Sequence, residues 1–112
     1  MPLDGTTYNP TLEILQAAKT YIIERGWCQG SALNRAGNVC IVGAVNMSLD
    51  WQDDTDLYCN VLWHLEETLG LPEHLSRELA NWNDVKGRTV DEVLHLFDTT
   101  IARVRQEELV NA

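Results

Sequence analysis

The sequence is short of basic residues and of long apolar runs. Lys and Arg together number 8 in 112 residues, against 17 Asp and Glu, which gives a formal net charge of −9. Because phosphate backbones and anionic membrane surfaces are bound mainly through Lys and Arg, direct binding to nucleic acid or to a membrane is disfavoured. The longest apolar run, residues 39–45, is far too short to span a bilayer. Acidity of this degree instead steers basic partners toward a protein.

Cysteine is also scarce. Cys28, Cys40 and Cys59 are odd in number and irregularly spaced, which fits neither a disulfide framework nor the close cysteine pairs of structural zinc sites. No basic start precedes an apolar run at the N-terminus, so the sequence predicts no secretory signal and a cytoplasmic protein with reduced thiols. Neither a metal nor a cofactor is predicted. Cys40 and Cys59 are expected to be small buried side chains.

Catalytic motifs are absent as well. The chain contains no nucleotide-binding glycine loop, no nucleophile elbow and no His-Glu-x-x-His pattern. Cys28 follows a predicted helix C-terminus, where the helix dipole disfavours the thiolate that a nucleophilic cysteine needs. No catalytic residue is therefore predicted, although a small-ligand-binding protein or a Cys28-dependent enzyme stays open as an alternative. A nucleic-acid mimic, with its acidic residues gathered on one face, is a further alternative.

Helical periodicity is what the sequence does contain, and it predicts about five helices packed around one core. We therefore expect an all-α fold in a single compact domain over residues 1–112, with residues 1–8 and 109–112 loosely held. Asn9 and Pro10 have the residue types of an N-cap and a first helical position, so they mark the start of the first helix.

The middle of the chain is ambiguous. Residues 39–45 fit either a buried strand or a buried helix, because so short an apolar run has no decisive period. Their small residues favour a helix from about Ile41 to Ser48, preceded by at most a minimal β-hairpin near residues 31–41. Asp53 or Asp54 then caps the next helix.

The clearest local signal begins the last helix. Thr89 and Glu92 have the spacing of a capping box, in which each side chain satisfies a backbone N–H of the first turn. The apolar residues that follow recur at spacings of three and four and predict one buried face: Val90, Val93, Leu94, Phe97, Ile101 and Val104. Because this face extends over several turns, homodimerisation through it stays open.

Four tryptophans are many for a chain of this length. Trp63 lies beside the apolar face of the third predicted helix and is expected in the core. Trp27, Trp51 and Trp82 lie at helix ends or in connections, where indoles either cover a core or stay exposed as anchors for a partner. We favour covering, since three helix-end indoles can also pack on one another.

Three stretches of the chain resemble a protein family. They are Gly26-Trp27-Cys28-Gln29-Gly30, residues 37–44 with the pattern Gly-x-Val-Cys-Ile-Val-Gly-Ala, and residues 82–93 with Trp-Asn-Asp followed by Gly-Arg-Thr-x-x-Glu-Val. Over about residues 10–104 the chain resembles an uncharacterised family of small proteins from actinobacteria and their bacteriophages. That family has no established activity. The resemblance therefore implies a context, a small cytoplasmic accessory protein, phage-encoded or bacterial, that acts on a host or cellular protein.

These observations together predict a non-enzymatic protein-interaction module. Its partner-binding residues are expected in the two loops that hold the family pattern and at the helix-end tryptophans: Trp27, Cys28, Gln29, Trp51, Trp82, Asn83, Asp84 and Arg88. Turn formation already accounts for Asn83 and Asp84, whereas no local role accounts for Arg88. If the two loops meet in space, they are the first place to look for a partner-binding surface.

Overall fold

The computed structural model describes residues 9–50, 54–71 and 76–111. These residues contain five α-helices and no β-strand. The helices are α1 (Pro10–Arg25), α2 (Ile41–Ser48), α3 (Thr55–Leu69), α4 (Ser76–Asn83) and α5 (Val90–Asn111). The predicted all-α class and the number of helices are confirmed. Across the described ranges, no helix combines the length and the apolar character needed to cross a membrane.

The helix ends follow the local sequence. The side chain of Asn9 accepts a hydrogen bond from the backbone N–H of Leu12, and that of Asp54 accepts one from Leu57, so both residues are N-caps as predicted. The alternative cap, Asp53, lies outside the described residues. Gly70 ends α3 in the left-handed conformation at φ 70° and ψ 29°, which glycine adopts without steric penalty.

The ambiguous middle segment is helical, and α2 has the predicted bounds. Before it, Val39 forms two isolated β-bridges, a parallel one to Trp27 and an antiparallel one to Leu33. The antiparallel bridge is the minimal hairpin that the sequence allowed near residues 31–41, and neither bridge extends into a strand. The thiol sulfur of Cys40 then accepts a hydrogen bond from the backbone N–H of Gly43 at 3.4 Å and caps α2.

The capping box of α5 is present in both directions. The backbone N–H of Thr89 donates to Glu92 Oε1 at 2.9 Å, and the backbone N–H of Glu92 donates to Thr89 Oγ1 at 3.2 Å. Of the predicted stripe, Val93, Phe97, Ile101 and Val104 are buried and Leu94 is half-buried, and Leu96 is an additional buried member. Val90, the first residue of α5, is an exception at 38% exposure.

One core collects side chains from every helix. Its largest fully buried apolar members are Leu15, Ile22, Val39, Ile41, Val45, Val61, Leu65, Leu79, Val93 and Phe97. The expectations for Trp63 and Cys59 were wrong, since Trp63 is 40% exposed and Cys59 is also exposed. The two residues are four positions apart and therefore share a face of α3, and that face differs from the one that Val61 and Leu65 turn to the core.

Candidate functional site

The two loops that hold the family pattern lie against each other. Gln29 Nε2 donates to the backbone carbonyls of Asn83 at 3.0 Å and Val85 at 2.9 Å. The backbone N–H of Gly30 donates to Asp84 Oδ1 at 3.0 Å. The loop of residues 26–30 and the turn of residues 83–88 are thus tied together by polar contacts.

Asn83 is the centre of this junction. Its side chain is fully buried, and Oδ1 accepts hydrogen bonds from Trp27 Nε1 at 2.7 Å and from the backbone N–H of Ile41 at 3.2 Å. Its Nδ2 donates to the backbone carbonyl of Cys28 at 3.1 Å and to Asp84 Oδ1 at 2.9 Å. A carboxamide has two donor hydrogens and two acceptor lone pairs, so all its capacity is used inside the protein. Asn83 therefore joins the end of α4 to the first loop and to the start of α2.

Arg88, for which the sequence predicted no local role, holds Trp82 in place. Its guanidinium carbon lies 3.8 Å from the centre of the Trp82 ring, and Nε donates to the Trp82 backbone carbonyl at 3.0 Å. Nη1 donates to Glu92 Oε2 at 2.9 Å. The pKa of Glu92 is lowered mainly by the hydrogen bond from the backbone N–H of Thr89 and, to a smaller extent, by the one from Arg88, so this carboxyl stays ionised. The stack and the ion pair together fix the orientation of the indole.

Cys28 is an internal thiol. It is 8% exposed, and its Sγ–H is shared between the backbone carbonyls of Ser31 at 3.3 Å and Asn38 at 3.4 Å. Burial raises the pKa of Cys28, and nearby Cys40 and Asp84 raise it further. Because a nucleophilic cysteine needs a depressed pKa, this environment does not activate the thiol.

An open groove of about 440 Å³ lies between the C-terminal ends of α3 and α4 and the first half of α5. Its lining residues are Thr68, Leu69, Trp82, Asp91, Glu92, His95, Leu96 and Thr99. Leu69 and Trp82 are half-buried walls, and Leu96 is a buried floor residue. We call this feature the α3–α4–α5 groove. A second, smaller concavity of about 260 Å³ is lined mainly by polar residues of α1, α3 and α5.

Comparison with known protein families places the chain. A family model described as a family of unknown function, DUF6197, matches residues 6–103. The chain belongs to the DUF6197 family. No curated protein and no solved structure gives a significant match. The match to DUF6197 spans both loops and the α3–α4–α5 groove, so these features belong to the family domain.

The DUF6197 fold brings most of the predicted partner-binding residues together. Trp27 and Trp82 are half-buried against the core, as expected of indoles that cover it. Gln29 and Asp84 are exposed beside them, whereas Cys28 and Asn83 are buried. Trp51 lies outside the described residues.

Sequence reasoning about the DUF6197 chain missed the groove. Among the predicted site residues that the structure describes, Trp82 alone lies in the lining. A signal was present, because Asp91, His95 and Thr99 recur every four residues and therefore form one row along α5. Among the described residues, no three His, Cys, Asp or Glu side chains come together in a way that could hold a metal ion.

The exposure of the three thiols leads to a test by thiol titration. We expect one thiol of the folded DUF6197 chain, Cys59, to react at once with Ellman's reagent, and the other two to react at least about 100-fold more slowly. Cys28 and Cys40 are buried, and burial raises the pKa of both. The Cys59→Ser variant is the control and should lose the fast phase entirely. A fast phase that survives in this variant would contradict the burial of the other two thiols.

Proposed function

We propose that this DUF6197 protein is a non-enzymatic interaction module that binds a segment of another protein in the α3–α4–α5 groove. The observation that supports this proposal is the construction of the groove, in which an indole held rigidly in place faces an open, partly apolar channel. Protein interfaces gain most of their binding energy from a few aromatic or aliphatic anchors in well-packed pockets. Leu69 and Trp82 provide such a surface, with buried Leu96 as its floor.

The rigidity of the groove wall strengthens the proposal. Trp82 is held on one side by Arg88, and the next residue in the chain, Asn83, is fixed by four hydrogen bonds. Binding to a wall that is already ordered avoids the entropy cost of immobilising it. In this proposal Trp82 contacts the partner, Arg88 positions Trp82, and Asn83 holds the junction beneath it.

The exposed polar side chains near the junction complete the proposed surface. Gln29 and Asp84 are exposed next to the turn that leads from α4 to α5. Polar groups at the edge of an interface contribute less affinity than the central anchors but help to set orientation. We assign Gln29 and Asp84 to this rim.

The cellular setting is a separate part of the proposal. The partner is taken to be a cytoplasmic protein of an actinobacterial cell, with the module either encoded by that cell or by a phage that infects it. The family pattern in the sequence supports this setting, and the net charge of −9 favours a partner with a basic surface.

A steric block of the groove tests the proposal. Thr99→Trp adds an indole to the lining, whereas Thr20→Trp adds one to an exposed position on α1 outside the groove. Wild type and both variants, each verified as folded by circular dichroism, are used to capture proteins from an actinobacterial lysate over a range of salt concentrations. We expect a specific protein that wild type and Thr20→Trp retain and that Thr99→Trp retains about tenfold less. Equal capture by all three, or no specific protein at any salt concentration, would refute the proposal.

Small-ligand binding is the second candidate function. The groove volume of about 440 Å³ falls within the range of small-molecule pockets, about 300–1,000 Å³. A thermal-shift screen of cellular metabolites distinguishes the two functions. A metabolite that stabilises wild type and Thr20→Trp but not Thr99→Trp would support this candidate.

A further inference from the structure

We infer that the segment bound in the α3–α4–α5 groove carries a basic side chain, Lys or Arg, whose charged end lies at Asp91, and an apolar side chain about one helical turn away that covers Leu69. This inference rests on the proposed function, because it names the chemistry of the partner that the groove would accept. Three observations support the inference. Two belong to the groove, namely the free carboxylate at one end and the apolar channel beside it, and the third is the net charge of the chain.

Asp91 is the carboxylate that the fold leaves available. Its neighbour Glu92 also lines the groove, but Oε1 accepts from the backbone N–H and hydroxyl of Thr89, and Oε2 is paired with Arg88. Glu92 is therefore used within the protein. Asp91 is exposed and has no hydrogen-bond or salt-bridge partner among the described residues. A cation from a partner would restore to this carboxylate the kind of contact that Glu92 already has.

The channel next to Asp91 suits the aliphatic part of a basic side chain. Lys and Arg lay their methylene groups along apolar surface while the charged end stays at a polar site. Arg88 shows within the molecule that a cation can contact an apolar ring and a carboxylate at once, since its guanidinium lies on the ring of Trp82 and pairs with Glu92. The groove thus presents an apolar wall and an acidic end in the order that a basic side chain requires.

The length of the groove sets the spacing of the partner residues. Asp91 and Thr99 are eight residues apart on α5, which corresponds to about 12 Å at about 1.5 Å per residue. Two side chains three or four positions apart on a helical segment span about half that length. A partner segment with a basic and an apolar residue about one helical turn apart therefore fits within the groove.

Electrostatics favours a basic segment over an anionic or a neutral apolar one. An anionic segment would meet Asp91 and a chain with a net charge of −9, so both local and long-range electrostatics oppose it. A neutral apolar segment would fill the channel but gain nothing from the carboxylate at its end. A basic segment gains from both, and the long-range field also raises its association rate.

Binding of capped pentapeptides tests the inference. The probes are Ac-Leu-Ala-Ala-X-Ala-NH₂ with arginine, norleucine or glutamate at X, titrated into ¹⁵N-labelled full-length protein and followed by the shifts of the Trp82 indole N–H and of the backbone of residues 91–99. We expect the arginine peptide to bind about tenfold more tightly than the norleucine peptide, and the glutamate peptide to give no saturable shift. The Thr99→Trp variant should lose binding of every peptide.

A matched pair of charge variants completes the test. Asp91 and Asp56 are both exposed acidic residues in the first turn of a helix, so Asp91→Lys and Asp56→Lys lose the same helix-dipole interaction. We expect Asp91→Lys to weaken the arginine peptide about tenfold and Asp56→Lys to leave it unchanged. Equal affinity of the arginine and norleucine peptides, equal effects of the two lysine variants, or no shift from the arginine peptide would overturn the inference. The proposed function is tested separately by the capture experiment. If Thr99→Trp fails to retain the captured protein, the proposed function is supported even when the peptide results overturn the inference.

Discussion

Asn83→Ala is expected to lower the free energy of unfolding by about 3–5 kcal/mol, because it leaves buried backbone groups without partners. The backbone N–H of Ile41 and the carbonyl of Cys28 both lie in buried hydrogen bonds to the Asn83 side chain. Each buried group left unsatisfied costs about 1–3 kcal/mol. The indole N–H of Trp27 loses its acceptor as well. The loss is therefore larger than the roughly 1 kcal/mol typical of a single substitution.

Urea unfolding of two neighbouring variants measures this effect. Asn81→Ala makes the same substitution two positions earlier in α4, at an exposed side chain, and is expected to change stability by no more than about 0.5 kcal/mol. Asn83→Asp keeps the shape but removes the amide hydrogens that reach the Cys28 carbonyl and Asp84, so it should also destabilise. If Asn83→Ala proved as mild as Asn81→Ala, the role of Asn83 as the centre of the junction would be wrong.

The contrast between Asn83 and the helix caps shows which features the sequence could predict. The caps at Asn9 and Asp54 and the box of Thr89 with Glu92 join groups within three residues of each other, so spacing alone identifies them. The hydrogen bond from Trp27 to Asn83 joins residues 56 positions apart. Its existence depends on how α4 is placed relative to the first loop, and no local pattern encodes that placement.

The α3–α4–α5 groove could not be predicted from the sequence for the same reason. Its lining comes from three helices, and the sequence contains each helix but not the angle at which α4 meets α5. Periodicity also averages over a whole helix. It placed Trp63 with the core because its neighbours are apolar, whereas the buried side of α3 is set by Val61 and Leu65. Residue type predicts the elements well, and the contacts between elements decide which exposed side chains form a site.

The packing of α2 predicts a second large effect on stability, that of Gly43→Ala. Its sign is opposite to the one that helix propensity predicts. Alanine is better than glycine in a helix interior by about 1 kcal/mol, so propensity alone predicts that Gly43→Ala stabilises α2. A Cβ on Gly43 would, however, overlap the carbonyl oxygen of Ala32 and lie 2.7 Å from its carbonyl carbon. Since both are backbone atoms, the loop or the helix must move. The same carbonyl accepts the backbone N–H of Cys40 at 3.2 Å, so the movement also breaks the hairpin.

We therefore expect Gly43→Ala to lower the free energy of unfolding by about 2–4 kcal/mol, from overpacking and a lost hydrogen bond less the gain in propensity. Asn46→Ala, at an exposed position of the same helix, is the control and should be neutral or slightly stabilising. Thermal and urea unfolding of both variants measure the difference. A Gly43→Ala variant as stable as wild type would mean that α2 does not pack on the loop at Ala32. The close approach of these two backbones also fixes the N-terminus of α2, whose first N–H group Asn83 accepts, so destabilisation at Gly43 should loosen the junction beneath Trp82 as well.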